Sequence, residues 1–169
     1  MKIKLLIDNK ELDKSNSDLC NWIYKNKNLS IELLIINNNQ RFENKSLSFF
    51  KILNKITFIL LTSIEIFFYY FDKKYQFGDF DLKKFKFNEI EVKPEVSKSG
   101  FHFSYNQNDI NKIKSVNLDL IIRMGSGILK GDILESSKFG VISFHHGNNS
   151  FYRGGPPCFW EVYSQKPTT

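Results

Sequence analysis

Two short apolar runs, Leu118–Ile122 and Val141–Phe144, each lead into residues equipped for chemistry. The second is followed by His145-His146-Gly147-Asn148-Asn149 and then by Arg153-Gly154-Gly155-Pro156-Pro157. An imidazole titrates near neutrality, so a strand-end histidine with access to a ligand can act as general acid or base. The guanidinium of arginine is a planar fork that grips carboxylate or phosphate. The first run gives way to Arg123-Met124-Gly125-Ser126-Gly127, where the glycines allow the backbone to approach a flat or anionic group closely. Ligands of open parallel sheets sit just beyond the carboxyl ends of the strands. If the two runs are adjacent parallel strands, the Gly125–Leu129 loop and His145 line one pocket. Structural roles compete with this reading: a histidine at a strand end often only satisfies its neighbours, and Arg123 could sit in an ion pair.

Other chemistries fit less well. A dinucleotide site requires G-x-G-x-x-G after the first strand, and the first loop, Asp8-Asn9-Lys10, lacks it. Three histidines without matching cysteine or carboxylate spacing give no structural zinc pattern, and no metal is expected. Cys20 and Cys158 form no C-x-x-C pair and read as free thiols in a reducing cytoplasm. The start, MKIKLLIDNKELDK, meets charges too soon for a secretory signal.

The net charge of +6 carries little meaning. Lysine is abundant, alanine is absent and arginine occurs only at 41, 123 and 153, the mark of a compositional bias toward lysine. No basic run with interleaved aromatics appears, and no nucleic-acid partner is expected. That bias sharpens the exceptions, because two of the three arginines flank the glycine and His-His segments.

Stepping from these residues to the elements that must hold them, the chain alternates strand and helix patterns. Lys2–Ile7 reads as a strand, a helix runs from a cap near Ser15–Asp18 to about Lys27, and Ser30–Ile36 reads as a second strand. Residues 46–72 are the most apolar stretch, interrupted by Lys51, Lys55 and Glu65. A spanning helix needs about 20 predominantly apolar residues, so a packed or partner-facing helix is expected, with no membrane span. Residues 73–87 read as an irregular insertion, Glu89–Lys93 as a strand and Ser97–Gly100 as a turn. A helix capped near Asn106 to Asp109 and running to Ser115, the strand 118–122, a helix over 130–136, the strand 141–144 and a helix over 156–163 complete the order. The expectation is a single α/β domain over residues 1–169, a Rossmann-like three-layer sandwich with a mostly parallel sheet.

Residues 119–160 resemble the folate-dependent formyltransferases, the family that includes glycinamide ribonucleotide and methionyl-tRNA formyltransferases. The resemblance rests on Asp119-Leu120-Ile121-Ile122, Gly127-Ile128-Leu129, Gly140, Ile142-Ser143-Phe144-His145, and Arg153-Gly154 with Pro157. It covers about a quarter of the chain closely. It implies transfer of a formyl group from 10-formyltetrahydrofolate to an amine acceptor, such as an amino sugar. The spacing to Arg153 puts His145 rather than His146 at the family's catalytic histidine. The loop Gly125, Ser126, Gly127, Ile128 and Leu129 would face the donor. His146, Asn148, Asn149 and Arg153 would contact the acceptor.

Two departures matter. The family's oxyanion-holding asparagine is Ser143 here, and Gly147-Asn148-Asn149-Ser150 replaces the usual loop. The family's catalytic aspartate falls downstream of Thr169, so the domain is expected to be incomplete at its C-terminus. Formyltetrahydrofolate hydrolysis, or a catalytically weak ligand-binding module of the same fold, are the alternative functions.

Overall fold

The computed structural model describes residues 1–38, 80–125 and 127–144, with isolated positions at 56, 60, 63, 64, 66, 67 and 163–165. Ten labelled elements follow in chain order. They are β1 (Lys2–Ile7), α1 (Lys14–Lys25), β2 (Ser30–Asn37), β3 (Asn88–Val92), β4 (Glu95–Val96), β5 (His102–Ser104), α2 (Gln107–Ser115), β6 (Leu120–Met124), β7 (Ile128–Leu129) and β8 (Val141–Ser143). The main sheet has the order β3-β2-β1-β6-β8, and every pairing in it is parallel. The four strands expected to be neighbours are neighbours, with β3 added beyond β2.

β1 lies at the centre and explains the layers. Five of its six residues are buried, so both faces of the strand are covered. Ile3, Leu5 and Ile7 face a cluster with Leu34, Leu120, Ile122 and Met124 of the sheet and Cys20 and Ile23 of α1. Leu6 faces the other way, with Leu33, Ile35 and Ile121, against Ile110 and Ile113 of α2 and Ile133. Strand alternation therefore sorts one apolar run into two cores, with a helix over each. The result is an α/β fold with a mostly parallel sheet between helices.

Local chemistry sets the boundaries. Asp13 caps α1 by accepting from the Asn16 amide at 2.8 Å, two residues earlier than the expected cap. Asn106 caps α2 as expected, accepting from the Asp109 amide at 2.9 Å. The strand expected over 118–122 lies at Leu120–Met124. Asp119 accounts for the shift, because its carboxylate accepts from the Lys2 amide (2.7 Å) and its amide donates to the Lys2 carbonyl (2.9 Å). It clamps the amino ends of β1 and β6, so the ladder begins one residue later.

Three expectations are corrected. The helix expected over 130–136 is a short 3-10 turn, Asp132–Glu135, whose only buried hydrophobic residue is Ile133. The strand expected over 141–144 is a three-residue edge strand, Val141–Ser143, among the described residues, with Ile142 47% exposed and Phe144, just past it, 71% exposed. A second small sheet, β4-β5-β7, was not expected, since strands of two or three residues carry no readable period. The six positions described within 46–72 are helical, and their side chains are exposed rather than buried. The remainder of that stretch, and the helix expected over 156–163 apart from Tyr163, lie outside the described residues.

One polar side chain interrupts the core. Lys4 is fully buried on the α2 side of β1, and its ammonium donates to the carbonyls of Ile113 (2.8 Å) and Ser136 (3.1 Å). Both carbonyls lie at the C-terminal ends of helical turns, where a cation is favoured. Even so, burial pushes the Lys4 pKa down from 10.5 to about 8. Between those values the unfolded chain binds more protons, so this group makes stability rise with pH from about 8 and reach its full effect above 10.5. The fall corresponds to on the order of 3 kcal/mol. Above about 9 the buried Cys20 thiol, pushed up to about 12, acts in the opposite sense. Comparison with Lys4→Met isolates the lysine. In urea titrations, the stability of the wild type relative to Lys4→Met is expected to increase by on the order of 2–3 kcal/mol between pH 7 and 10.5. A difference that stays flat across that range would show that Lys4 keeps an ordinary pKa.

Candidate functional site at the carboxyl edge of the sheet

The chain runs from β1 to β2 on one side of the sheet and later returns to β6 on the other. The switch point, where ligands of such sheets bind, therefore lies between the carboxyl ends of β1 and β6. Those ends carry Asp8 and Arg123-Met124-Gly125.

Alternation decides which side chains meet there. On β6, Leu120, Ile122 and Met124 pack in the α1-side core, while Ile121 packs in the α2-side core. Arg123 shares the parity of Ile121 and stands opposite Leu6 in the ladder. On the same side, Asp8 continues the row of Lys4 and Leu6, and Asn37 that of Leu33 and Ile35. One polar row thus crosses three adjacent strands directly above an apolar one.

The row is hydrogen-bonded throughout. The Arg123 guanidinium grips the Asp8 carboxylate with both terminal nitrogens, at 2.9 and 3.2 Å. The Asn37 amide donates to the same carboxylate at 2.7 Å, and the Tyr105 hydroxyl donates to the Asn37 oxygen at 2.8 Å. The Arg123 side chain is 2% exposed and that of Asp8 26%, so the pair runs from the interior to the carboxyl edge of the sheet. Burial pushes the Tyr105 hydroxyl above its ordinary pKa, keeping it a donor.

Gly125 and Gly127 are required for different reasons. A Cβ on Gly125 would overlap the Asp8 carboxylate and come within 2.7 Å of an Arg123 nitrogen. Gly127 has φ +87°, and a Cβ there would enter the Phe103 ring. Beyond it, β7 pairs in parallel with β5, and the Ile128 and Lys130 amides donate to the carbonyls of Phe101 (2.7 Å) and Phe103 (2.9 Å). The loop is anchored at both ends, while Gly125, Gly127 and Ile128 stay exposed.

Of the residues singled out from sequence, Gly125, Gly127, Ile128, Leu129 and Ser143 are described; Gly125 follows β6 and Ser143 ends β8 in the main sheet, while Ile128 and Leu129 form β7 of the small one. Arg123 and Ser143 are paired across β6 and β8, and Ser143 is exposed. Ser126, His145, His146, Asn148, Asn149 and Arg153 lie outside the described residues. Arg123 serves in an ion pair, one of the two roles its residue type suggested. Asp8, Asn37 and Tyr105 were not anticipated. The available signal was that Asp8 and Asn37 are the first polar residues after apolar runs, hence at strand ends. Tyr105 gave no local signal.

Two grooves open elsewhere among the described residues. One of about 400 Å³ is lined by Asn38, Lys93, Asn106, Asp109 and Lys112, where the carboxyl ends of β2 and β3 meet the start of α2. The other, about 360 Å³, is lined by Glu95, Ser97, His102, Phe103 and Lys130 beside the small sheet. No cluster of described residues could hold a metal ion.

No family model, curated protein or solved structure matches this chain. The geometry therefore stands on its own.

The loop makes a direct prediction. Gly127→Ala combines a positive φ with the collision against Phe103, and is expected to lower unfolding stability by about 1–3 kcal/mol in urea. Adding Phe103→Ala should relieve the overlap. The Gly127→Ala step should then cost less in the Phe103→Ala background than in the wild type. Equal cost in both backgrounds would mean that the ring does not constrain the loop.

Proposed function

We propose that this protein transfers a formyl group from 10-formyltetrahydrofolate to an amine acceptor, an amino sugar or similar small molecule. The observation that supports this reading is the parallel pairing of β6 with β8, with Arg123 opposite Ser143. It sets the root of the Gly125–Leu129 loop beside the strand that leads, two residues past Ser143, to His145 in the sequence. These are the segments through which the chain resembles the folate-dependent formyltransferases.

In this reading the acceptor nitrogen attacks the formyl carbon and a tetrahedral oxyanion forms. The carbonyl is then restored as the bond from that carbon to N10 of the folate breaks. His145, as an imidazolium, stabilises the oxyanion and delivers its proton to the departing nitrogen, and the proton lost by the attacking amine restores the imidazolium. The Ser143 hydroxyl donates one hydrogen bond to the oxyanion. A serine reaches less far than the family's asparagine, and loss of one such donor costs on the order of 3 kcal/mol. Asn148 or Asn149 is assigned the compensating contact, and Arg153 and His146 hold the acceptor. The exposed backbone of Gly125 and Gly127 contributes the donor-facing surface.

The test is formyl transfer from 10-formyltetrahydrofolate to a panel of amino sugars, with folding of each variant checked by circular dichroism. His145→Ala is expected to lower kcat by about 10²-fold or more. His146→Ala should act mainly on KM. Loss of turnover in His146→Ala but not in His145→Ala would move the catalytic position, and the Ser143 assignment with it, by one residue. Formate release without acceptor would favour hydrolysis. Absence of both turnover and folate binding would overturn the reading and leave the α/β fold.

A further inference from the structure

We infer that the Asp8–Arg123 pair, secured by Asn37 and Tyr105, is a positioning device for the Met124–Leu129 loop rather than a brace of the sheet; as a statement about donor binding it rests on the proposed formyl transfer. Four observations carry it.

The sheet does not need the pair. β1 and β6 are already joined by a ladder from Ile3↔Leu120 to Ile7↔Met124 and clamped at their amino ends by Asp119. Asp8 lies beyond the last paired residue of β1. Nor does stability explain it, since a buried ion pair is often no more stabilising than apolar side chains of the same volume.

The geometry is specific to the residue types. Both carboxylate oxygens of Asp8 are gripped by one guanidinium, which lysine, the default cation of this chain, cannot reproduce. Asn37 donates to the same carboxylate and is itself held by the Tyr105 hydroxyl, tying the pair to β2 and to the segment entering α2.

The pair forms the surface on which the loop rests. Gly125 approaches it so closely that no Cβ fits. The far end of the loop is fixed independently by Gly127 on Phe103 and by the β5–β7 pairing. Gly125 and Gly127 are thus each held against a fixed side chain while exposed to solvent, a preorganised arrangement in which a ligand that uses their amides bears little ordering entropy. Asp8 and Arg123 therefore act through the loop and need not touch the donor.

The experiment uses Arg123→Lys, which keeps the charge and loses the fork, and Asp8→Asn/Arg123→Gln, which keeps the polar contact and removes both charges. Each is compared with wild type by hydrogen exchange, by thermal melting and by titration with 5-formyltetrahydrofolate, a stable reduced folate. Both variants should exchange faster at the amides of Met124 and Gly125, the end of the loop that rests on the pair, with the amides of Ile128 and Lys130 held by β5 and those of β1 and β2 unchanged. Both should bind the folate about tenfold to a hundredfold more weakly, as expected for displaced binding groups, and should still melt cooperatively. Faster exchange spread evenly through β1, β2 and β6, or unchanged exchange in the loop, would overturn the inference. If the wild type binds no reduced folate, formyl transfer is the reading that fails, and the exchange comparison still decides whether the pair positions the loop.

Discussion

The constraint on which this structure depends is the burial of β1 on both faces. A strand covered on both sides can carry only apolar groups or polar groups whose partners are built in. Ile3, Leu5, Leu6 and Ile7 meet the first condition and Lys4 the second. The parallel ladders to β2 and β6 then fix where the strand emerges. Asp8 is the first residue past them and comes out between two neighbours at the switch point. The polar row is thus a consequence of the core, since the face that is apolar one step deeper becomes polar where cover ends.

At that boundary, position decides the electrostatics. Arg123 is almost wholly enclosed and Asp8 partly open, so a charge that would be costly alone is neutralised across the last layer of the interior. The neutral contacts from Asn37 and Tyr105 add orientation more than charge. Lys4 and Arg123 lie on the same side of the sheet, one row apart in the ladder, and reach toward opposite edges for different partners. Lys4 meets only backbone carbonyls and its pKa falls, whereas Arg123 meets a carboxylate. The difference follows from what each end of a parallel sheet supplies: ends of helical turns at one, strand-end side chains and loops at the other.

Much of the fold was legible in the residues. Alternating strand and helix patterns, an Asn106 cap, and apolar runs at 2–7, 30–36 and near 120 are local signals, and they yielded the parallel α/β sheet. The boundaries that moved did so through long-range contacts. Asp119 reads locally as part of a strand, yet its bonds to the backbone of Lys2 end the ladder there. The small sheet was invisible because its strands are too short to show a period. At the site, the glycines and Ser143 were legible as residues at strand ends. The Asp8–Asn37–Tyr105–Arg123 row was not, because its members are separated by up to 115 positions within a single contact.

The sequence by itself determined the fold class and placed the two chemistry-bearing runs on strands that lead into glycine-rich and polar loops. These depend on periodicity, turn chemistry and residue type, all local properties of the chain. Only the tertiary structure decided that Arg123 turns inward to Asp8, that Gly127 rests on Phe103 and that Lys4 lies enclosed. The physical reason is that a side chain's environment is set by which strands pair and in what register. That outcome is fixed by burial summed over the whole sheet, and no short window of residues contains it.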